Sequence, residues 1–456
     1  MRETTRIAAL GSMVAFALVL SLAGTARAQV LDARRLGMGG AVTSDGGSVR
    51  DANIAFRAVP KGKGVRSIPL PIGLIQLASD WPTFDSSDST FNVWKIVNLA
   101  MNPPLTLTIN GPEAASGNIA VYVAQDSLQV NLGDVQRVVP REPMVDGGVY
   151  HLPGIGKTFG SVFVQVAPLV HVKNTFGLSP DLRAALHDAV PFTNDTRYEI
   201  EDAGEAQAAI AFQAGLARRI VYSPGPLESE TDDPRRNGAT ALYLGGAPKV
   251  LWGLAYGGAD GTGGLTTGDT LFGANTSVAL DMISRTRDAA IGTEGGAGFG
   301  IGSDVGAVLY VHNVELGVGL NDLGSQIRWK TTVRRHVYVD STNDFVTTIV
   351  ARDESFTSRI PVTTTINAAT RFGATTVAAD LVDNDIATSI HLGAEHWLGS
   401  IAVRAGTYRD TNRNWQVTGG AGIRFGGIGL DVALASQSRN IEETRCAELA
   451  ASISLY

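Results

Sequence analysis

Several things are scarce in this chain of 456 residues. There is one cysteine, Cys446, so no disulfide can close within the chain and a stapled secreted scaffold is excluded. Charged residues make up only 18%, and the formal net charge is -7. An acidic balance offers no footprint for nucleic acid, whose partners carry a basic face. Aromatic residues reach only 7%, a thin supply for the Tyr and Trp girdles that membrane barrels place at both interfaces. Beyond residue 28 no stretch supplies the about 20 consecutive apolar residues of a transmembrane helix. If the mature chain enters a membrane, it does so as a closed β-barrel.

Chemical motifs are equally sparse. The chain has no H-E-x-x-H, no G-x-S-x-G and no pair of cysteines. Gly156-Lys157-Thr158 imitates the end of a phosphate-binding loop, but His151 holds the earlier glycine position, so the cradle is incomplete. Gly298-Phe299-Gly300-Ile301-Gly302 lies among strands, with no helix to receive a pyrophosphate. His391 and His396 are five residues apart, which puts them on opposite faces of a strand and rules them out as a metal pair. No enzyme activity, metal or cofactor is expected.

What the chain does contain begins with a secretory signal. Arg2 and Arg6 precede an apolar run from Ile7 to about Gly24, followed by Ala26-Arg27-Ala28. This order reads as a signal peptide over 1–28, cleaved between Ala28 and Gln29. Residues 29–64 are glycine-rich and turn-prone, with Leu36-Gly37-Met38-Gly39-Gly40, Asp45-Gly46-Gly47 and Lys61-Gly62-Lys63-Gly64, and form a compact segment outside the barrel wall. Two short helices are expected. One lies within Thr83 to Pro104, where Phe91, Trp94, Val97 and Met101 share a face; the other starts at Ser179-Pro180, with Ser as cap and Pro in the first turn.

The remainder, 65–456, alternates with period two. Trp415, Val417, Gly419, Ala421, Ile423 and Phe425 oppose Gln416, Thr418, Gly420, Gly422 and Arg424. After a turn at Gly426-Gly427, Ile428, Leu430, Val432 and Leu434 oppose Gly429, Asp431, Ala433 and Ala435. Ile401 to Gly406, Ile386 to Glu395 and Val314 to Asn321 repeat the pattern, and Ala239 to Gly258 fits one strand or a hairpin. Alternation alone suits a soluble sandwich as well as a barrel. The signal peptide, the strand length of about ten residues and the absence of a disulfide frame favour the barrel.

With these residues in view, Ala33-Arg34-Arg35-Leu36-Gly37-Met38-Gly39-Gly40-Ala41 resembles the mature N-terminus of the FadL-like outer-membrane barrels, including their PorV/PorQ branch. Gly302 to Ala307 with Leu316 to Gly324, Leu392 to Trp397 with Val403 to Gly406, and Ala421 to Phe425 with Gly429 to Asp431 are similar, in the same order, to strand pairs of that group. The group's Asn-Pro-Ala is replaced here by Asn53-Ile54-Ala55-Phe56. The C-terminal strand ends in Tyr456, as the assembly signal of such barrels does, with Leu449, Ala451, Ile453 and Leu455 out of phase with it.

The expectation is an all-β fold: a transmembrane antiparallel barrel of about 14 strands, with a short N-terminal plug and one or two short helices, in the cell outer membrane. Its surroundings would be outer-membrane lipid and the barrel-assembly machinery. The resemblance implies that Leu36, Gly37, Met38, Gly39 and Gly40 enter the barrel and gate it. Glu315, Asn321, Arg328, Arg371, His391, Glu395, Arg404, Arg424 and Asp431 are the expected lumen-facing residues. The function implied is passive uptake of a hydrophobic or amphipathic small molecule. The alternatives are a PorV-like shuttle for a secreted protein, or accessory of a secretion system, and a structural surface barrel without transport.

Overall fold

The computed structural model describes residues 32–44, 52–60, 66–70, 105–108, 120–124, 127–131, 143–152, 154–188, 190–224, 238–268, 277–287, 297–339, 344–410, 415–436 and 446–455. The signal peptide, the helix expected within Thr83 to Pro104, and Tyr456 lie outside them. The elements are helix α1 (Ala33–Gly37), a 3-10 turn (Ile54–Arg57), strands β1 (Arg66–Leu70), β2 (Leu105–Thr108), β3 (Ala120–Ala124), β4 (Ser127–Asn131), β5 (Met144–His151), β6 (Ile155–Phe159) and β7 (Val162–Leu178), and helix α2 (Pro180–His187). They continue with β8 (Arg197–Ser223), β9 (Thr240–Thr266), β10 (Ser277–Thr286), β11 (Gly298–Val311), β12 (Val314–Val339), β13 (Asp344–Arg359), β14 (Thr363–Phe372), β15 (Thr375–Asp383), β16 (Thr388–Leu398), β17 (Ile401–Asp410), β18 (Gln416–Phe425), β19 (Ile428–Ser436) and β20 (Cys446–Leu455). Residues 240–258 fall in the single strand β9, with Ala239 just before it.

Four pairs of strands share a lane. β1 and β2 both pair with β20, β5 and β6 with β7, β10 and β11 with β9, and β13 and β14 with β12. Among the described residues this gives fourteen antiparallel lanes, joined neighbour to neighbour from β5–β6 through to β20 and then β1–β2. Among the described strands only the β3–β4 hairpin stands apart. The sheet curls into a barrel, so that His151 of β5 meets Asp322 of β12 inside it.

Local chemistry sets both ends. At one end five hairpins turn in two residues, beginning at Gly160, His312, Gly373, Gly399 and Gly426, each with positive φ. A primed two-residue turn requires that conformation to match the twist of its strands. Above them the outward face is apolar: Val314, Leu316, Val318 and Leu323 on β12, Ile390 and Leu392 on β16, Leu430, Val432 and Leu434 on β19 are all exposed. An apolar outer surface of about ten residues per strand is the belt a barrel presents to lipid. Aromatic anchors are few but well placed. Phe159, Phe372 and Phe425 lie exposed beside the turns, and Phe212, Trp252 and Phe299 at a higher level on β8, β9 and β11.

β8 and β9 run on for 27 residues each, or roughly 90 Å of strand at ~3.3 Å per residue, well beyond the belt. Along β12 the polarity inverts: below Leu323 the inner residues are Glu315 and Asn321, and above it they are Ile327 and Trp329, with Gln326, Arg328 and Lys330 turned out. A break in the wall marks the change. β12 pairs with β14 up to Asn321 and with β13 from Gln326, while Asp322 and Gly324 take positive φ. At the far end α2 is capped by Ser179 and packs Ala185 against Phe192 and Tyr198.

Candidate functional site

The N-terminal segment lies inside the barrel. Asp32 caps α1 by accepting from the Arg34 and Arg35 amides, and this turn delivers Arg34 to the wall. Arg34 Nε and one of its terminal nitrogens donate to Glu395 at 2.9 and 2.7 Å. Glu395 also accepts from Arg404 Nε at 2.7 Å and Trp397 Nε1 at 3.0 Å. Arg404 is held on its other side by Asp431 at 2.8 Å, and Asp431 by Ser454 at 2.6 Å. Every ionised member of this chain is buried, where a charge is tolerated only when paired and hydrogen-bonded.

Beyond α1 the backbone itself is bound. Gly39 N–H donates to Thr418 Oγ1 at 2.9 Å, and the Gly39 carbonyl faces His391 Nδ1 at 2.7 Å. The Val42 amide donates to Asp380, and Ser44 donates to Glu315, which Tyr310 and Asn367 also hold. Asn53 caps the 3-10 turn through Ala55 and donates to the Ala307 carbonyl. Arg57 reaches Gln165 and lies over the Phe163 ring at 4.3 Å.

The segment can sit so close because the wall is notched. Gly393 and Gly406 face each other across the β16–β17 ladder, and a Cβ on either would overlap the backbone of Met38 or Gly39. Gly245, Gly306 and Gly319 form a second row across β9, β11 and β12, and there a Cβ would strike Asn53 or its neighbours. Gly39 itself has φ +68°, a conformation other residues adopt at a cost.

Leu36, Gly37, Met38, Gly39 and Gly40 are therefore buried within the barrel. Glu315, Asn321, His391, Glu395, Arg404 and Asp431 are buried on its inner face. Arg371 and Arg424 reach the turn-end rim, the first donating to the Gly373 carbonyl and the second lying over Trp397. Arg328 corrects the expectation: it is exposed and bonded to Ser355 on the outside. It shares parity with Leu316 and Val318, so the pleat turns it outward with them, above the lipid belt.

Higher in the lumen lies a cluster that sequence reasoning missed. Lys249 of β9 bridges Asp304 of β11 at 2.6 Å and Asp322 of β12 at 2.7 Å, and His151 of β5 meets Asp322 at 2.8 Å. Four lanes thus meet in one ionic knot. The apolar residues above it, Leu169, Leu251, Tyr256, Ile327, Trp329 and Ile360, form one buried cluster on the inner face. An inward polar residue here and there was the available signal; that these particular ones meet was not.

The sequence model of a family of unknown function, DUF5723, matches residues 203–455. No curated protein matches the chain. Among solved structures, the toluene transporter TbuX of Ralstonia pickettii is similar at 13% identity, over 66% of this chain and 78% of that one, with a TM-score of 0.33. The toluene transporter TodX of P. putida follows at 12%, over 65% and 89%, with a TM-score of 0.27. A mutant porin of Rh. blastica is similar at 9%, over 69% and 99%, with a TM-score of 0.21.

Proposed function

Taking as premise that the chain belongs to DUF5723, a family of unknown function, we propose that it is an outer-membrane channel for passive uptake of hydrophobic or amphipathic small molecules, gated by the segment around Leu36 to Gly40. One observation carries the reading. Inside the barrel, apolar side chains pack together above the ionic knot, and a seated plug fills the section below it.

The physical sequence follows from that layering. An apolar molecule leaving water gains about 25 cal/mol for each Å² of surface it buries against the upper lining. Below, it meets a section already filled by plug backbone, buried charge and packed apolar side chains. Passage therefore needs the plug to move, breaking the bonds of Arg34 with Glu395 and of Gly39 with Thr418 and His391. These are hydrogen bonds that water can replace once the seat opens, and the segment must also leave apolar contacts, Leu36 with Ala433 and Ala435, Met38 with Ala369 and Ala378, and Phe56 with Tyr243 and Tyr310.

The test is uptake of a fluorescent hydrophobe, N-phenyl-1-naphthylamine, by cells carrying the intact protein or one lacking Leu36 to Gly40. A changed uptake rate, with the barrel still folded, supports gating. An unaltered rate counts against it, and co-purification of a secreted protein in place of uptake would move the reading to a shuttle.

A further inference from the structure

We infer that the outer wall carries a binding site for the phosphate groups of an outer-leaflet lipid of the lipid A class, formed by Arg328, Lys330 and Arg359 just above the apolar belt. The short turns of such barrels face the periplasm, so the long upper strands, and this site with them, lie on the external side. The inference needs only the barrel and its belt, and is independent of the uptake reading.

The site follows from the register of β12 with β13. Gln326 faces Arg359, Arg328 faces Thr357 and Lys330 faces Ser355, and all six residues are exposed. Each can donate a hydrogen bond and none carries a negative charge. Successive outward residues of one strand stand about 7 Å apart, and diagonal neighbours across a ladder about 7–8 Å. Arg328 therefore stands between the other two cations, an arrangement that suits two phosphates on one headgroup.

Like charges so placed repel, and carboxylates do not relieve them. Among the described residues Arg328, Lys330 and Arg359 make no ion pair. Arg328 uses only Nε, on Ser355 Oγ at 3.0 Å, and Lys330 reaches the Asp353 carbonyl at 3.3 Å. Both terminal guanidinium nitrogens of Arg328 thus remain for an anion, the fork that matches phosphate. Farther up β13, Glu354 pairs with Arg285 at 3.3 Å, and Asp353 falls at an irregularity of the ladder with positive φ. Asp385 borders the same cavity as Arg359 without pairing with it.

The neighbouring wall makes the anion a lipid. At the rungs of Arg328 and Gln326, β11 and β9 present Phe299, Ile301 and Trp252, each more than half exposed. Aromatic side chains in this position mark the headgroup level. Below the cations, Leu323, Val318 and Leu316 continue the apolar surface on β12 itself. A soluble anion would use the cations alone; a phosphorylated lipid uses both, with its acyl chains on the belt and its phosphates on the cations.

The experiment is native mass spectrometry of the full-length barrel released from dodecyl maltoside, titrated with diphosphoryl lipid A and, separately, with the same lipid stripped of its phosphates. One lipid A should be retained, bound about tenfold or more tighter than the phosphate-free lipid. Inorganic phosphate at the same concentration should not displace it. In the double variant Arg328→Gln, Lys330→Gln, which leaves the buried residues untouched, the two lipids should bind alike while the folded mobility on detergent gels persists. Equal retention of the two lipids by the unaltered protein would overturn the inference whether or not the variant folds. Displacement by inorganic phosphate would also overturn it, by making the cations a site for a free anion.

Discussion

Glu395 takes four donor contacts on two oxygens, from Arg34, Arg404 and Trp397. Its removal leaves two guanidiniums sharing a site built around its charge. Breaking a buried pair from one side costs about 3–5 kcal/mol, so Glu395→Ala should lower the temperature at which the barrel loses its folded mobility on detergent gels. Lys249 stands in the reverse position, one cation between two carboxylates, and Lys249→Met should destabilise by a similar amount in the same assay. Gly393 tests the plug without touching charge. A Cβ there overlaps the Met38 backbone, so Gly393→Ala should speed proteolysis of the segment around Leu36 to Gly40 while the folded mobility of the barrel persists. Unchanged cleavage would mean that the seat does not depend on the notch.

Among elements, α2 was readable in advance because its cap is local: Ser179 Oγ accepts from the Leu182 amide at 3.4 Å and the Glu199 amide at 3.1 Å. Ser179→Ala should cost about 1 kcal/mol, seen as faster amide exchange across Pro180–His187 with the rest of the barrel unaffected. The hairpins were readable for the same reason, since Gly426-Gly427 joins β18 to β19 with Gly426 in the left-handed region. Strands are less forthcoming. β12 alternates on either side of its irregularity at Asp322 to Gly324, yet its inner face is polar near Glu315 and apolar near Trp329. Period two states that a strand has two faces and leaves open which is inside. Arg328 was misplaced through that ambiguity, and the long upper parts of β8 and β9 went unrecognised as a section with the opposite sense.

For the whole molecule, an outer belt that faces lipid and fourteen lanes linked by main-chain hydrogen bonds predict a barrel that resists mild detergent. The membrane fraction of expressing cells should hold it, with a mobility shift on boiling; a soluble protein without the shift would contradict the architecture.

By itself the sequence determined what depends on neighbours along the chain: alternation, two-residue turns, the Ser179 cap and the glycine-rich character of residues 29–64. Only the tertiary structure decided what depends on residues hundreds of positions apart. Arg34 and Glu395 are separated by 361 residues, Ser44 and Glu315 by 271, and Trp329, Ser358, Gln207 and His171 form one hydrogen-bonded series drawn from four strands. Closing the sheet brings these groups together, and burial then makes each bond obligatory because water is no longer there to replace it.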